Sequence, residues 1–159
     1  MPTEEQIRQW IQEESQAHRH DGNEAQQINY PDIFDIPIQY LQAEAILAAT
    51  DHTVADNHYR FHIPAGLDGF HLVEVHALIA VVGTTGTLTV QLHNVVAAVD
   101  MLSTLLSVDP SENGSDSATA AVINIANDQV AENDIIRVDI DTIQTGTAGK
   151  GLYITLGFQ

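Results

Sequence analysis

NDIIRVDIDTIQTGTAGKGLYITLGF, Asn133 to Phe158, contains two runs in which every second residue is apolar. Ile136, Val138 and Ile140 share one face and Arg137, Asp139 and Asp141 take the other, the period of a half-buried strand. Gln144-Thr-Gly-Thr-Ala-Gly-Lys-Gly151 breaks the pattern with glycines, which allow turn geometry that a strand interior does not need. It resumes at Leu152, Ile154, Leu156 and Phe158, alternating with Tyr153, Thr155 and Gly157. An end this apolar is expected to be docked in a core, since loose termini are polar.

Working back from that stretch, the same texture recurs. The spacing predicts strands over Ala45–Val54, Tyr59–Ile63, Phe70–Val82, Thr87–Val96, Asp100–Val108, Thr119–Ile125, Ile135–Ile143 and Leu152–Phe158. Leu88, Val90 and Leu92 alternate with Thr89, Gln91 and His93, so they join the expected core. Ala65-Gly-Leu-Asp-Gly69, Gly83-Thr-Thr-Gly86, Asp109-Pro-Ser-Glu-Asn-Gly114 and Asn127-Asp128 supply turn chemistry between the strands. Short strands with no helix between them predict a mainly β fold, an antiparallel two-sheet sandwich, and eight of them is the jelly-roll number.

The first 44 residues read differently. Thr3 and Gln6 form a capping box, Glu4 and Glu5 suit the positive end of a helix dipole, and Ile7, Trp10 and Ile11 fall on one helical stripe. Continued through Glu14 and His18, the stripe is a seam of about two heptads, too short to be stable alone. Residues 1–20 are thus expected to be an α-helix that packs on the rest of its own chain or on copies of itself, as a trimeric coiled coil in the second case, with Ile7, Trp10, Ile11 and Glu14 making the oligomer contacts. Asp21-Gly22 stops it, and Tyr30-Pro31 and Ile36-Pro37 impose extended geometry, so residues 21–44 read as an extended arm laid on a protein surface. Residues 45–159 are then the strand domain.

Charge narrows the partners. Twenty-two acidic residues stand against five basic ones, a formal −17. Such a surface repels nucleic-acid backbones and anionic membranes. No run approaches the ~18 apolar residues of a membrane span. The acidic N-terminus has no apolar segment of the signal-peptide kind, and the absence of cysteine excludes disulfides and thiolate metal sites.

Catalytic patterns are weak. His18-x-His20-x-x-x-Glu24 matches in letters the first metal motif of cupins, but it lies outside the strand region, and Pro64-Ala-Gly66 meets its next histidine only at His71. Ser103, Ser107, Ser111, Ser115 and Ser117 lack the glycine frame of a nucleophile elbow. Asp116 and the pair Asp139 and Asp141 could be calcium ligands, yet acids alternating on a strand are expected to be its wet face, paired with Arg137. His58 and His62 flank Arg60, while His71 and His76 fall on opposite faces of one strand, so none converge by spacing. A glycan-binding module would need exposed aromatics on loops or one sheet face. Tyr59 and Tyr153 read instead as core or interface.

The words Gly86-Thr-Leu-Thr-Val-Gln-Leu-His-Asn94, Asp100-Met-Leu-Ser103, Asp134-Ile-Ile-Arg-Val-Asp-Ile-Asp141 and Gly149-Lys-Gly-Leu-Tyr-Ile-Thr-Leu-Gly-Phe158 resemble the jelly-roll modules of tailed-bacteriophage virion proteins. His18-Arg-His-Asp-Gly22 is similar to phage fibre-type sequences. The resemblance implies a non-enzymatic head-fibre, decoration or tail accessory protein. It would be homotrimeric, attached to capsid or tail components and located in the virion, with contact to a host surface glycan as the alternative role. Fibres of this kind carry His-x-His pairs on their threefold axes. His18 and His20 from three chains would then make a cage of six nitrogens, suited to iron or nickel rather than zinc. No other cofactor is implied, and the competing reading makes His18 the helix's C-terminal cation with His20 in solvent.

Overall fold

The computed structural model describes residues 36–159. They form β1 (Gln39–Asp51), β2 (Ala55–His62), β3 (Leu72–Leu78), β4 (Leu88–Asn94), β5 (Val99–Asp100), β6 (Leu102–Thr104), β7 (Leu106–Val108), β8 (Val122–Ile123), β9 (Ile135–Thr142) and β10 (Lys150–Phe158). Every pairing is antiparallel. Sheet A has the order β1-β10-β3 and sheet B the order β2-β9-β4-β5, with β7 also on β4, while β6 pairs with β8. The expected mainly β, antiparallel class is what the chain adopts.

One apolar cluster draws on both sheets. From β4 come Leu88, Val90 and Leu92, from β9 Ile136, Val138 and Ile140, and from β10 Leu152, Ile154, Leu156 and Phe158, none of them more than 1% exposed. Register explains why they meet. Leu92 lies opposite Val138 and Val90 opposite Ile140, so the apolar face of each strand continues that of its neighbour. Each such side chain removed from water contributes about 1.5–3 kcal/mol.

Several boundaries differ from the sequence expectation. The first strand begins at Gln39 rather than Ala45, so residues 39–44 of the expected arm belong to sheet A. They pair there because Leu41 and Ala43 pack on the core while Tyr40 and Gln42 stay on the other face. The remaining expected arm residues before Ile36, like the helix of residues 1–20, lie outside the described residues. The expected strand Asp100–Val108 is three short pieces. Gln91 breaks it: its Oε1 accepts the Leu102 amide at 3.2 Å and its Nε2 donates to the Leu102 carbonyl at 3.1 Å. A side chain thus satisfies the backbone that β4 would otherwise have paired. The expected strand Thr119–Ile125 shrinks to Val122–Ile123, and Phe70–Val82 to Leu72–Leu78 with isolated bridges at His71 and Val81.

The glycine-rich turn between β9 and β10 carries the chain from sheet B to sheet A. Gln144, 1% exposed, holds it: Oε1 accepts the Gly83 amide at 2.7 Å and Nε2 donates to the Asp109 carbonyl at 2.8 Å. Gly151 has φ +66, and a Cβ there would stand 2.7 Å from the Ala48 Cα and 2.9 Å from the Ala80 Cβ. The residue must be glycine on both counts.

Candidate functional site

The outer face of sheet A places residues far apart in sequence side by side. Its first row is Tyr40, Gly157 and Glu74, its second Gln42, Thr155 and His76, and its third Glu44, Tyr153 and Leu78. Alternation along each strand puts these opposite the core residues.

Gly157 sets the geometry of the first row. A Cβ there would lie 3.0 Å from the Tyr40 Cε1, 3.0 Å from the Ile38 Cγ2 and 3.1 Å from the Glu74 Cβ. Tyr40 therefore reaches across β10 through the space of a missing side chain, and its hydroxyl donates to Glu74 Oε2 at 2.9 Å. The residue is 55% exposed. That hydrogen bond, with smaller contributions from desolvation and the carboxylate charge, holds the phenol above the ordinary tyrosine range. Tyr153 repeats the device, donating to Glu44 Oε1 at 3.1 Å, and is shifted the same way by the same cause. Between them Gln42 Nε2 donates to the Thr155 hydroxyl at 3.2 Å.

On the β3 side the row continues into a groove of about 340 Å³, walled by Glu74 and His76 and by Ser115, Asp116 and the alanines 118, 120 and 121. The groove exists because β8 is short and pairs with β6, leaving β3 at the end of sheet A. Its polar rim is linked: His76 Nδ1 is 3.4 Å from Asp116 Oδ1 and His76 Nε2 is 3.9 Å from Glu74 Oε2. Ser115 is turned inward, its Oγ accepting the Ala77 amide at 3.0 Å. It is a strand-edge cap and not a free nucleophile.

The outer face of sheet B is differently built. Arg137 donates through Nε and a terminal nitrogen to Asp139 Oδ2 at 2.9 and 2.7 Å and reaches Asp56 at 3.3 Å. Asp139 also accepts the Asn57 amide at 2.7 Å, which fixes Asn57 at φ +69. The expected pairing with Arg137 is present, but Asp139 is 4% exposed, not the wet face. Asp141 is exposed. Its carboxyl is raised above the usual range, first by desolvation and then by the charges of Asp139, Asp56 and Asp100.

Where the two sheets' connections meet, His52 is 3% exposed. Its Nε2 lies 2.9 Å from the Gly151 carbonyl, and since a carbonyl can only accept, that nitrogen carries a proton. Nδ1 has no partner. Burial, with His58 adding to it, pushes the imidazole below its ordinary pKa against the opposing pull of the Gly151 bond and Asp51.

Of the residues picked out from sequence, His18, His20, Ile7, Trp10, Ile11 and Glu14 lie outside the described residues. Tyr153, read as core or interface, is on the outer face with its hydroxyl used. Nothing local in the sequence marks Tyr40, Glu74 and Gly157 as a set, because only strand register brings them together. Among the described residues no three His, Asp or Glu side chains converge as a metal set, and no helix is long and apolar enough to cross a membrane. No protein-family model matches the chain, and comparisons with curated proteins and with solved structures found no match either.

Proposed function

We propose that this chain is a homotrimeric, non-enzymatic structural component of a tailed-phage virion, a head-fibre, decoration or tail accessory protein. Its N-terminal segment attaches to capsid or tail components and its strand domain, a jelly roll, is displayed outward. The observation that carries the reading is strand order. With β5 to β7 counted as one interrupted strand, eight strands remain, and the first lies beside the last in sheet A while the second lies beside the last but one in sheet B. Two Greek keys folded on each other give that order. Apolar surface supports the trimer. Leu47 is 67% exposed, Leu78 49% and Val81 40%, and Leu47 and Val81 adjoin the two alanines that flank Gly151. An acidic surface, formally −17, suits a position away from packaged DNA. Mass spectrometry of purified particles from a lysate that contains the protein tests the reading. Peptides of this chain should be recovered in fixed stoichiometry with the capsid or tail proteins, and particles free of it would refute the assignment.

A further inference from the structure

We propose that the outer face of sheet A, from Tyr40 across Gly157 to Glu74 and into the groove beyond β3, is a binding site for a neutral saccharide. This gives the alternative glycan-contact role a site and a class of ligand, and it stands or falls separately from membership of a virion.

The chemistry of the face selects the ligand. Tyr40 presents a ring that passes through the space a Gly157 side chain would fill, with 55% of the residue open to water. Its hydroxyl is fixed by Glu74 at 2.9 Å. Such a ring loses little conformational freedom when it is covered, because its orientation is already set. An electron-rich aromatic face accepts the polarised C–H groups of a sugar ring. Around it the carboxylates of Glu74 and Asp116 are acceptors, and His76, 3.9 and 3.4 Å from them, is turned toward those carboxylates. The ligand must therefore bring donors. Hydroxyl groups directed at a carboxylate make charge-assisted hydrogen bonds.

Charge removes the other candidates. The basic side chains of the described residues are elsewhere: Arg60 and Arg137 belong to strands of sheet B, and Lys150 is held by Asp51 at 2.9 Å. Phosphates, sialic acids and uronates would meet two carboxylates with no lysine or arginine to offset them. A donor-rich, uncharged molecule with one apolar face is a neutral sugar. Size agrees, for about 340 Å³ is the low end of small-ligand clefts, room for one or two rings over the alanine wall. On sheet B, Arg137 already occupies Asp139 and Asp56.

The test is a glycan array probed with the purified full chain, carrying neutral hexose and N-acetylhexosamine oligosaccharides beside sialylated and uronate-bearing ones. Neutral glycans should be retained and acidic ones not. Tyr40→Ala and Glu74→Gln should each weaken the signal by roughly tenfold or more, while Asp56→Ala on sheet B leaves it unchanged. If Tyr40→Ala does not fold, Tyr40→Leu and His76→Ala read the same face, and unaltered binding in both overturns the site. A blank array, hits confined to acidic glycans, or a Tyr40 variant whose only change is a different oligomeric mass also overturns it, the last by making the face an interface between copies.

Discussion

His52 is an imidazole buried in a place that disfavours a charge. Its Nε2 proton is spent on the Gly151 carbonyl, and Nδ1, the atom a second proton would occupy, has no acceptor. Besides the ring itself, the ionisable groups that act on it are His58 and Asp51, with Lys150 tied to Asp51. The folded pKa lies below the ordinary value of ~6.5, so in that window the unfolded chain binds more protons than the folded one. Stability contributed by this residue is complete above about pH 6.5 and is lost as pH falls from there through the lowered folded value. Thermal melts from pH 7.5 to 4.5 should show wild type losing more stability on acidification than His52→Gln, and parallel curves would remove the residue from the account. The sequence could not reveal this: His52 belongs to no alternating run, and its burial comes from the β9 to β10 turn folding over it. Asp139 is half a success by comparison. Its partner Arg137 is two residues away and was legible, whereas its burial depends on Asn57 arriving from β2.

At the scale of elements, β10 is the strand on which sheet A depends. It pairs with β1 on one side and β3 on the other, and its inward residues are 0% exposed. Leu156→Ala should cost about 2–5 kcal/mol, read as a lowered denaturation midpoint with an unchanged slope. Deleting Leu152–Gln159 should abolish the cooperative transition, and an unaltered melt would contradict the topology. The long strands were legible because their burial is one-sided, so period-2 alternation maps directly onto inside and outside. β5 to β7 were not, because the interruption is made by a side chain of another strand, Gln91. Tyr153 shows the same division. Its face could be read from its alternation with Leu152 and Ile154, but what it meets there, Glu44, is set by a register no single strand contains. Tyr40 and Glu74 are 34 residues apart, and nothing local marks them as neighbours.

For the whole molecule, the exposed Leu47, Leu78 and Val81 lie toward the opposite end of sheet A from Tyr40. A trimer built on that end would leave the saccharide face outward. Light scattering at micromolar concentration should return three times the chain mass of 17.3 kDa, with Leu78→Asp shifting it downward, and 17.3 kDa for the unaltered chain would exclude the trimer. The position of β10 between β1 and β3 also orders events in time. Of the ten strands it is the last to be synthesised, and until it exists the first and third strands of the chain have nothing that joins them. Sheet A cannot assemble on the ribosome before β10 has been made, so until then the nascent chain carries apolar strand faces uncovered. Contacts that span this much sequence also close slowly. A cell making this protein in quantity therefore has to keep unfinished copies apart, and the strongly acidic composition does that by mutual repulsion before any fold exists.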